Sequence, residues 1–244
     1  MKKQNLTKNA YKNPEFLSSD EARSLRILSE YLEPLSRLDK YKINNTVLFF
    51  GSSRVKNDEK KHPLAKYYKE AEELAYHLAK WAIKLKQKGK NFVICTGGGL
   101  GIMEAANRGA SRGGAKSIGM NISLQKPQPL NPYISPELSF IFHYFFMRKF
   151  WLVNRAKAIV AFPGGFGTLD EVFELLTLTQ TRKITKDNIV PVLLYGKEYW
   201  EEIINFNSLF KYKAISRKDL NLFTYCSSPE EAFLFLKKRL TEFL

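Results

Sequence analysis

The 244-residue chain is predicted to fold as α/β, with a single doubly wound parallel sheet that carries helices on both faces. Short apolar segments alternate with longer segments of helical periodicity, a pattern typical of parallel strands joined by crossover helices. Three of the apolar segments run into loops of small residues, as strand ends do in Rossmann-like sheets. Because no repeat or linker divides the chain, residues 45–244 are expected to form one Rossmann-like domain and residues 1–44 an N-terminal extension with one helix.

The N-terminal extension is expected to begin without regular structure. Residues 1–18 are polar and are predicted to be flexible. Residues 18–20 offer an N-cap, and leucines recur at helical spacing from Leu25 to Leu35. A helix that ends near Leu38 is therefore predicted.

The domain itself is predicted to alternate strands and helices. Short apolar runs bounded by turn residues predict strands over residues 46–50, 91–95, 115–121, 138–143, 157–162, 189–194 and 222–225. Helical periodicity predicts helices over residues 64–88, 144–155 and 198–210. Two more helices are predicted to follow the glycine loops: one follows the loop at 97–101 and ends near residue 111, and the other follows the loop at 164–167 and ends near residue 182. A last helix is predicted from residue 229. Such an alternation predicts a parallel sheet covered on both faces.

Charge and the number of potential metal ligands argue against a nucleic-acid partner and against a metal site. The chain has 39 Lys and Arg against 24 Asp and Glu, and the net charge of +15 permits attraction to anions from a single phosphate to nucleic acid. The lysines are scattered along helical stretches and no nucleic-acid motif is visible, so a solvated surface is favoured and a nucleic-acid partner is not expected. The two cysteines and three histidines lack metal-ligand spacing, so no metal site is expected.

The chain is also expected to be cytoplasmic and to make no membrane contact. No apolar run approaches the ~18–20 residues of a membrane span. Residues 1–9 are basic but lack the apolar run of a signal peptide.

Three loops of small residues are the main candidates for a binding site. They are Gly51-Ser52-Ser53, the loop at 97–101 that includes Gly98 and Gly99, and the loop at 164–167. Glycines let main-chain N–H groups approach an anion, and a helix N-terminus adds partial positive charge. Two such loops before helices predict a cradle for a phosphorylated ligand; the alternative is that the glycines only make tight strand-to-helix turns.

The familiar nucleotide-binding motifs are absent. The pattern G-x-G-x-x-G places Ile102 or Glu104 where the third glycine belongs, and no acidic residue follows about 20 positions on. The P-loop pattern fails because Ala115-Lys116 follows the glycines. Classical NAD binding and P-loop NTPase activity are therefore disfavoured, and no cofactor is expected.

Charged residues beside the glycine loops have two possible roles. Glu171 follows Thr168 by three positions, so it is either a capping or helix-start carboxylate or a group at the lip of the pocket. Glu104 has the same alternatives, and as a ligand it would reach a ribose hydroxyl. The pair Arg148-Lys149 lies in an aromatic stretch, where it either extends to solvent or faces an anion.

The sequence resembles the LOG ("lonely guy") family. Residues 163–171 fit its P-G-G-x-G-T-x-x-E signature, and Met147-Arg148-Lys149, about 15 residues upstream, fits its Arg-Lys pair. The loops at 51–53 and 97–101 fit its first and second glycine loops, so the resemblance spans about residues 45–210. It implies a cytokinin-activating type of phosphoribohydrolase, which cleaves the N-glycosidic bond of AMP or N6-prenylated AMP to free base and ribose 5-phosphate, without a cofactor.

The resemblance also implies roles for individual residues. Arg148 and Glu171 would be the catalytic pair, Thr168 and the three loop glycines would hold the phosphate, and Lys149 would help to bind the substrate. The extensions beyond about residues 45 and 210, and a second loop reading Gly99-Leu-Gly-Ile-Met-Glu104, depart from the plant-type form and leave the base preference open. The full set of expected substrate-binding residues is Gly51, Ser52, Ser53, Gly98, Gly99, Glu104, Met147, Lys149, Gly164, Gly165, Gly167, Thr168, Asp170 and Thr177.

Two further predictions follow from the same residues. A non-enzymatic nucleotide or molybdenum-cofactor carrier of the same fold would keep the glycine loops without needing Arg148 and Glu171 together, so their joint presence favours the enzyme. The aromatic stretch at 140–151 is richer than a monomer surface tolerates and predicts a homodimer or higher homo-oligomer.

Overall fold

The computed structural model describes residues 9–125, 129, 131–181, 183 and 190–243. Within them, seven parallel strands form one sheet in the order β4-β3-β2-β1-β5-β6-β7, which confirms the predicted fold class. The strands are β1 Thr46–Phe50, β2 Val93–Thr96, β3 Ser117–Ile122, β4 Ser139–Phe142, β5 Ala156–Ala161, β6 Val192–Tyr195 and β7 Phe223–Cys226. The helices are α1 Pro14–Ser18, α2 Arg23–Lys40, α3 Ala65–Lys86, α4 Ile102–Arg112, α5 Phe145–Asn154, α6 Phe166–Gln180, α7 Lys197–Ile203, α8 Phe206–Lys211 and α9 Pro229–Phe243.

The order of the strands creates a switch point beside β1. The chain builds outward from β1 through β2, β3 and β4, and then returns to place β5 on the other side of β1. Phe49 is level with Thr96 of β2 and with Val160 of β5. The loops after these three strands therefore leave the same edge of the sheet, where ligands bind in doubly wound folds.

Side chains of β1 alternate between the two layers of the core. Val47 and Phe49 pack in the layer that contains α3, α4 and α9. Leu48 and Phe50 pack in the layer that contains α2, α5, α6 and α7. All four side chains are buried, which explains why β1 is a continuous apolar run rather than an alternating one.

The structure corrects two of the expectations. Residues 9–18 were predicted to be flexible, but within them Pro14–Ser18 form the short helix α1. Asn13 caps this helix, because its Oδ1 accepts a hydrogen bond from Glu15 N at 3.2 Å. The extension therefore holds a second helix besides α2. The helix predicted over 198–210 divides into α7 and α8, because Asn205 N-caps α8 by accepting from Ser208 N at 2.9 Å.

Other boundaries differ by a few residues, and two lie outside the described range, one of them the predicted end near residue 182 of the helix after the third glycine loop. The predicted start of the sixth strand, residue 189, falls outside the described residues; β6 begins at Val192. In the described part of the chain, no helix is both long and apolar enough to cross a membrane.

Candidate active site

The three small-residue loops contact one another directly. Ser52 in the loop after β1 donates its N–H to the carbonyl of Pro163 after β5 at 2.9 Å. The carbonyl of Ser52 accepts from Ile102 N, at the start of α4, at 3.0 Å. The loop of residues 51–53 therefore lies between the other two and ties them into one surface at the switch point.

Two positions in the second glycine loop leave no room for a side chain. Gly101 has a φ of +69°, and a Cβ there would lie 2.2 Å from the carbonyl oxygen of Ser52. A Cβ on Gly97 would lie 2.3 Å from Nη2 of Arg148. The second glycine loop therefore serves two purposes: it contacts the first loop, and it leaves room for the guanidinium of Arg148.

The loop before α6 has two kinds of glycine. A Cβ on Gly164 would lie 2.2 Å from Oγ1 of Thr168, so this glycine is needed for packing. A Cβ on Gly165 or Gly167 would meet no atom within 4 Å. The N-cap residue Gly165 supplies no side-chain cap, so the first N–H groups of α6 face the space beside these two glycines. The arrangement can accept an anion.

A buried polar network supports the second glycine loop, and the sequence analysis missed it. Asn107 of α4 is fully buried, and its Oδ1 accepts from Thr96 Oγ1 at 2.7 Å and from Asn131 Nδ2 at 3.0 Å. Asn131 also donates to the carbonyl of Gly99 at 3.0 Å. Asn107 in turn donates to Ser117 Oγ at 2.9 Å. The only signal in the sequence is a polar residue on the alanine-rich face of α4.

Replacing Asn107 with leucine is expected to destabilise the protein by about 3 kcal/mol, because it leaves several buried hydrogen-bonding groups without a partner. Chemical denaturation would measure the change in the free energy of unfolding. Ser111→Ala, an exposed position on the same helix, is the control and should leave that free energy nearly unchanged. Equal stability of the two variants would contradict a supporting role for the network.

Arg148 and Glu171 are brought together from different helices. Nη1 of Arg148 lies 3.4 Å from Oε1 of Glu171, and the two side chains are only 12% and 13% exposed. Nε of Arg148 also donates to the carbonyl of Met120 on β3 at 2.8 Å, which fixes the plane of the guanidinium. The planar guanidinium meets the two partners with two different nitrogens in a fixed relative geometry, which the single nitrogen of an ammonium does not offer.

The environment of Glu171 raises its pKa. Burial raises the pKa of Glu171 from 4.5 to about 7, although the neighbouring Arg148 opposes the rise. A carboxyl group with a pKa near 7 is partly ionised at neutral pH and can take or give a proton in a reaction.

Lys149 forms a second charged cluster on the outer side of the site. Its Nζ lies 2.7 Å from Oδ2 of Asp170 and 3.0 Å from Oε2 of Glu174. Burial lowers the pKa of Lys149, but hydrogen bonds to these two carboxylates outweigh that and raise it above its usual value. Lys149 therefore stays protonated and links α5 to α6.

Other predicted site residues lie around this centre in different ways. Thr168 is buried in the first turn of α6, and Met147 is buried on α5. Glu104 accepts a hydrogen bond from the hydroxyl of Tyr68 on α3 at 2.8 Å. The pKa of Tyr68 is raised, mainly by burial and to a smaller extent by this hydrogen bond. Thr177 is exposed two turns along α6, and its hydroxyl donates to the carbonyl of Phe173 at 2.8 Å. These contacts direct Glu104 and Thr177 to groups other than Arg148 and Glu171.

Tyr199 is a further residue at the site that the sequence analysis did not find. Its hydroxyl donates to the carbonyl of Gly164 at 2.5 Å and so orients the loop before α6. Tyr199 follows β6, in a helix without a glycine motif, so nothing local indicates this contact. Among the described residues, no cluster of three or more His, Cys, Asp or Glu is placed to hold a metal ion.

Comparisons with protein sequences give a family match. The model of the family described as possible lysine decarboxylase matches residues 103–235, more than half of the chain. The pyrimidine/purine nucleotide 5′-monophosphate nucleosidase of Escherichia coli strain K12 is 34% identical over 116 residues, which cover 42% of this chain and 24% of that protein. The match to the corresponding protein of strain O157:H7 has the same extent, so the aligned region is about a quarter of the length of these relatives.

Solved structures share the fold. A structural-genomics target designated TM1055 aligns with a TM-score of 0.56 at 21% identity, over 80% of this chain and 99% of its own. The molybdenum cofactor carrier protein of Chlamydomonas reinhardtii aligns with a TM-score of 0.54 at 18% identity, over 81% of this chain and 99% of its own. Identities this low establish a common architecture and carry no information about activity.

Proposed function

Because this chain belongs to the LOG family, whose family model is described as possible lysine decarboxylase, we propose that it is an N-glycosyl hydrolase acting on a purine nucleoside 5′-monophosphate. The substrate is AMP or N6-prenylated AMP, and the products are the free base and ribose 5-phosphate. The observation that carries the proposal is the buried Arg148–Glu171 contact of 3.4 Å beside an uncapped helix start. The printed name of the Escherichia coli relatives, a nucleotide 5′-monophosphate nucleosidase, supports the same class of reaction.

The phosphate of the substrate binds at the start of α6. Open space beside Gly165 and Gly167 admits its oxygens to the first N–H groups of the helix. Binding the phosphate there fixes the ribose, and binding energy from this remote group orients the reacting carbon. The partial positive charge of the helix start favours an anion at that position.

Glu171 then acts at the anomeric carbon. Breaking the C1′–N bond develops positive oxocarbenium character on the ribose, which a carboxylate stabilises. Glu171 also takes a proton from the attacking water as the new C1′–O bond forms. The base leaves with the bonding electron pair and takes up a proton from solvent, and Glu171 returns its proton to solvent, so that the proton count balances. Arg148 orients Glu171 and favours its ionised form.

Amino-acid decarboxylation, which the family description suggests, fits this site poorly. Pyridoxal-type decarboxylation requires a lysine that forms a Schiff base, and such a lysine must lose its proton. Lys149 is ion-paired with Asp170 and Glu174, and its pKa is raised rather than lowered. The lysine nearest to Glu171 is thus protonated and engaged.

A carrier of a nucleotide or of molybdenum cofactor is the second candidate. The shared fold with the carrier protein of Chlamydomonas reinhardtii is compatible with it, and the same glycine loops would serve a bound phosphate. Storage of a ligand does not require a buried carboxyl group with a pKa near 7 beside an arginine. That group is the reason for preferring the enzyme.

We further propose that the protein is a homodimer or a higher homo-oligomer. Phe145, Phe146 and Phe150 on α5 are 55%, 51% and 41% exposed. Adjacent exposed aromatic side chains on the helix that carries Arg148 indicate an interface between subunits. Size-exclusion chromatography with light scattering should give a mass of at least twice 28.2 kDa, and an active monomer would refute the proposal.

The test of function is a product assay. The protein is incubated with AMP, dAMP, GMP, CMP and N6-isopentenyl-AMP, and the free base and the sugar phosphate (ribose 5-phosphate, or 2-deoxyribose 5-phosphate from dAMP) are quantified. Release of both products in equal amounts supports the hydrolase, and the fastest substrate identifies the base. A folded protein that binds AMP but releases no base from any of these nucleotides favours the carrier. Binding to polynucleotide that weakens steeply with salt would instead indicate a nucleic-acid partner.

Glycine substitutions in the loop before α6 are expected to separate binding from folding. Gly165→Ala places a methyl group where no protein atom lies within 4 Å, so the variant should fold normally yet raise the KM for AMP about 10-fold. Gly164→Ala collides with Thr168 and should lower the melting temperature instead. Steady-state kinetics and thermal unfolding of both variants check this. A Gly165→Ala variant with unchanged KM would place the phosphate elsewhere.

A further inference from the structure

The helix that carries Arg148 is capped by a residue of the N-terminal extension. The N-cap residue of α5, Tyr144, makes no side-chain capping hydrogen bond. Instead, the main-chain N–H groups of His143 and Tyr144 donate to the two carboxylate oxygens of Glu30 on α2, at 2.6 Å and 3.2 Å. These two N–H groups immediately precede the first residue of α5, and a carboxylate at this position also complements the dipole of the helix.

The same residue holds α5 at a second point. Nε1 of Trp151 donates to the main-chain carbonyl of Glu30 at 2.9 Å. Trp151 is 2% exposed, and the ring of the adjacent Tyr31 lies 5.7 Å from the rings of both Phe150 and Trp151. Glu30 therefore contacts α5 through its side chain at the start of the helix and through its main chain two turns later.

Arg148 lies between these two points. Its N–H donates to the carbonyl of Tyr144 at 3.1 Å, one turn back, and Trp151 follows one turn later. The distance from Arg148 Nη1 to Glu171 Oε1, 3.4 Å, is long for a hydrogen bond. A shift of α5 by less than an ångström would therefore decide whether that contact exists, and misplacements of this size are costly in catalysis.

We propose that Glu30 is a positioning residue, which holds α5 where Arg148 contacts Glu171. The N-terminal extension is then part of the working site although it lies outside the glycine loops. This inference rests on the proposed hydrolase for its kinetic consequence. Its structural content, the placement of Arg148 against Glu171, can be measured without any activity.

The kinetic test compares Glu30→Gln with Glu33→Gln. Glutamine keeps the shape of residue 30 but turns an NH₂ group toward a main-chain N–H donor. Glu33 lies one turn along α2 and pairs with Arg37, so its variant controls for charge loss on the same helix. With AMP as the substrate, Glu30→Gln should lower kcat about 10-fold and change KM less than about 3-fold, because the glycine loop of α6 is untouched. Glu33→Gln should match the wild type.

A measurement of the pKa of Glu171 by carboxyl-carbon NMR gives a readout independent of activity. Arg148 and Lys149 on α5 lower this pKa, whereas burial and the carboxylates of Asp170 and Glu174 on α6 raise it. If α5 is held less firmly, Arg148 and Lys149 lie farther from Glu171 on average and lower its pKa less. Glu30→Gln should therefore raise the pKa of Glu171 above that of the wild type. Mere loss of stability leaves the pKa of the folded protein unchanged.

Trp151→Phe provides a second variant if Glu30→Gln does not fold. It removes the Nε1–H donor and keeps an aromatic ring against Tyr31, and it should move kcat and the pKa of Glu171 in the same directions. An unchanged kcat together with an unchanged pKa in a folded variant overturns the positioning role. If the wild type releases no base but Glu30→Gln still moves the pKa, the hydrolase is wrong and the positioning role stands.

Discussion

Glu171→Gln is expected to lower the rate of base release from AMP about 1,000-fold, because glutamine can neither accept a proton from water nor place a negative charge beside the ribose. Binding of AMP should persist, since the phosphate site at the start of α6 is unaltered. Single-turnover kinetics and calorimetric titration with AMP measure the two quantities separately. Asp170→Asn, an exposed neighbour in the same helical turn, is the control for charge and should lose far less activity.

The pH dependence gives this prediction a second test. In the proposed mechanism the ionised form of Glu171 is the active one, so kcat/KM of the wild type, which reports the free enzyme, should rise with pH through about 7, where the carboxyl group loses its proton. The rising limb should be missing in Glu171→Gln. A wild-type limb near pH 4.5, the usual value for glutamate, would show that Glu171 is not the titrating group.

As the pH rises through about 7, the stability of the wild-type protein should fall while its activity rises. The pKa of Glu171 is higher in the folded protein than its usual 4.5, so the folded state holds the proton more tightly. The associated stabilisation is complete below about pH 4.5 and is lost as the pH rises through about 7. Glu171→Gln carries no such loss and should melt at a temperature no lower than the wild type at pH 8. A lower melting temperature would mean that the lost activity reflects misfolding.

Local patterns were enough to predict most of the fold. The strand over residues 46–50 was predicted to the residue, because Thr46 and four apolar side chains end at a glycine and both faces of the sheet are covered. The break between α7 and α8 was missed, since helical periodicity continues across Ile204 and the capping role of Asn205 becomes visible only in the structure. Periodicity reports which face is buried and is less sensitive to a local change of direction.

Contacts between distant parts of the chain explain what the sequence did not reveal about the site. Arg148 stands out in the sequence because its charge interrupts an aromatic stretch, and Glu171 stands out because it follows a glycine loop closely. Asn131 and Glu30 carry no such mark, and their partners lie 24 and 113 positions away. Whether a polar residue supports a loop or faces solvent depends on its burial, which one-dimensional spacing does not determine.

Arg148→Ala is expected to reduce base release by about 100-fold or more at pH 7 and to move the rising limb of the pH profile to higher pH. The direction follows from the neighbourhood of Glu171: Arg148 is the main group that lowers its pKa, so removing the cation leaves a buried carboxyl group that ionises less readily. Part of the lost rate should therefore return above pH 8. Recovery at high pH distinguishes this effect from simple loss of a substrate contact.

Arg148→Lys separates charge from orientation. Lysine keeps the positive charge near Glu171, so the limb should return toward about 7. Its single nitrogen does not reproduce the two nitrogens with which Arg148 contacts Met120 and Glu171, so the maximal rate should stay about 10-fold low. Arg155→Lys, at the end of α5 where the side chain pairs with Asp39 at 2.6 Å, is the matched control and should leave the profile in place. If Arg148→Ala keeps the wild-type limb, Arg148 does not set the ionisation of Glu171, and its role reduces to binding the substrate.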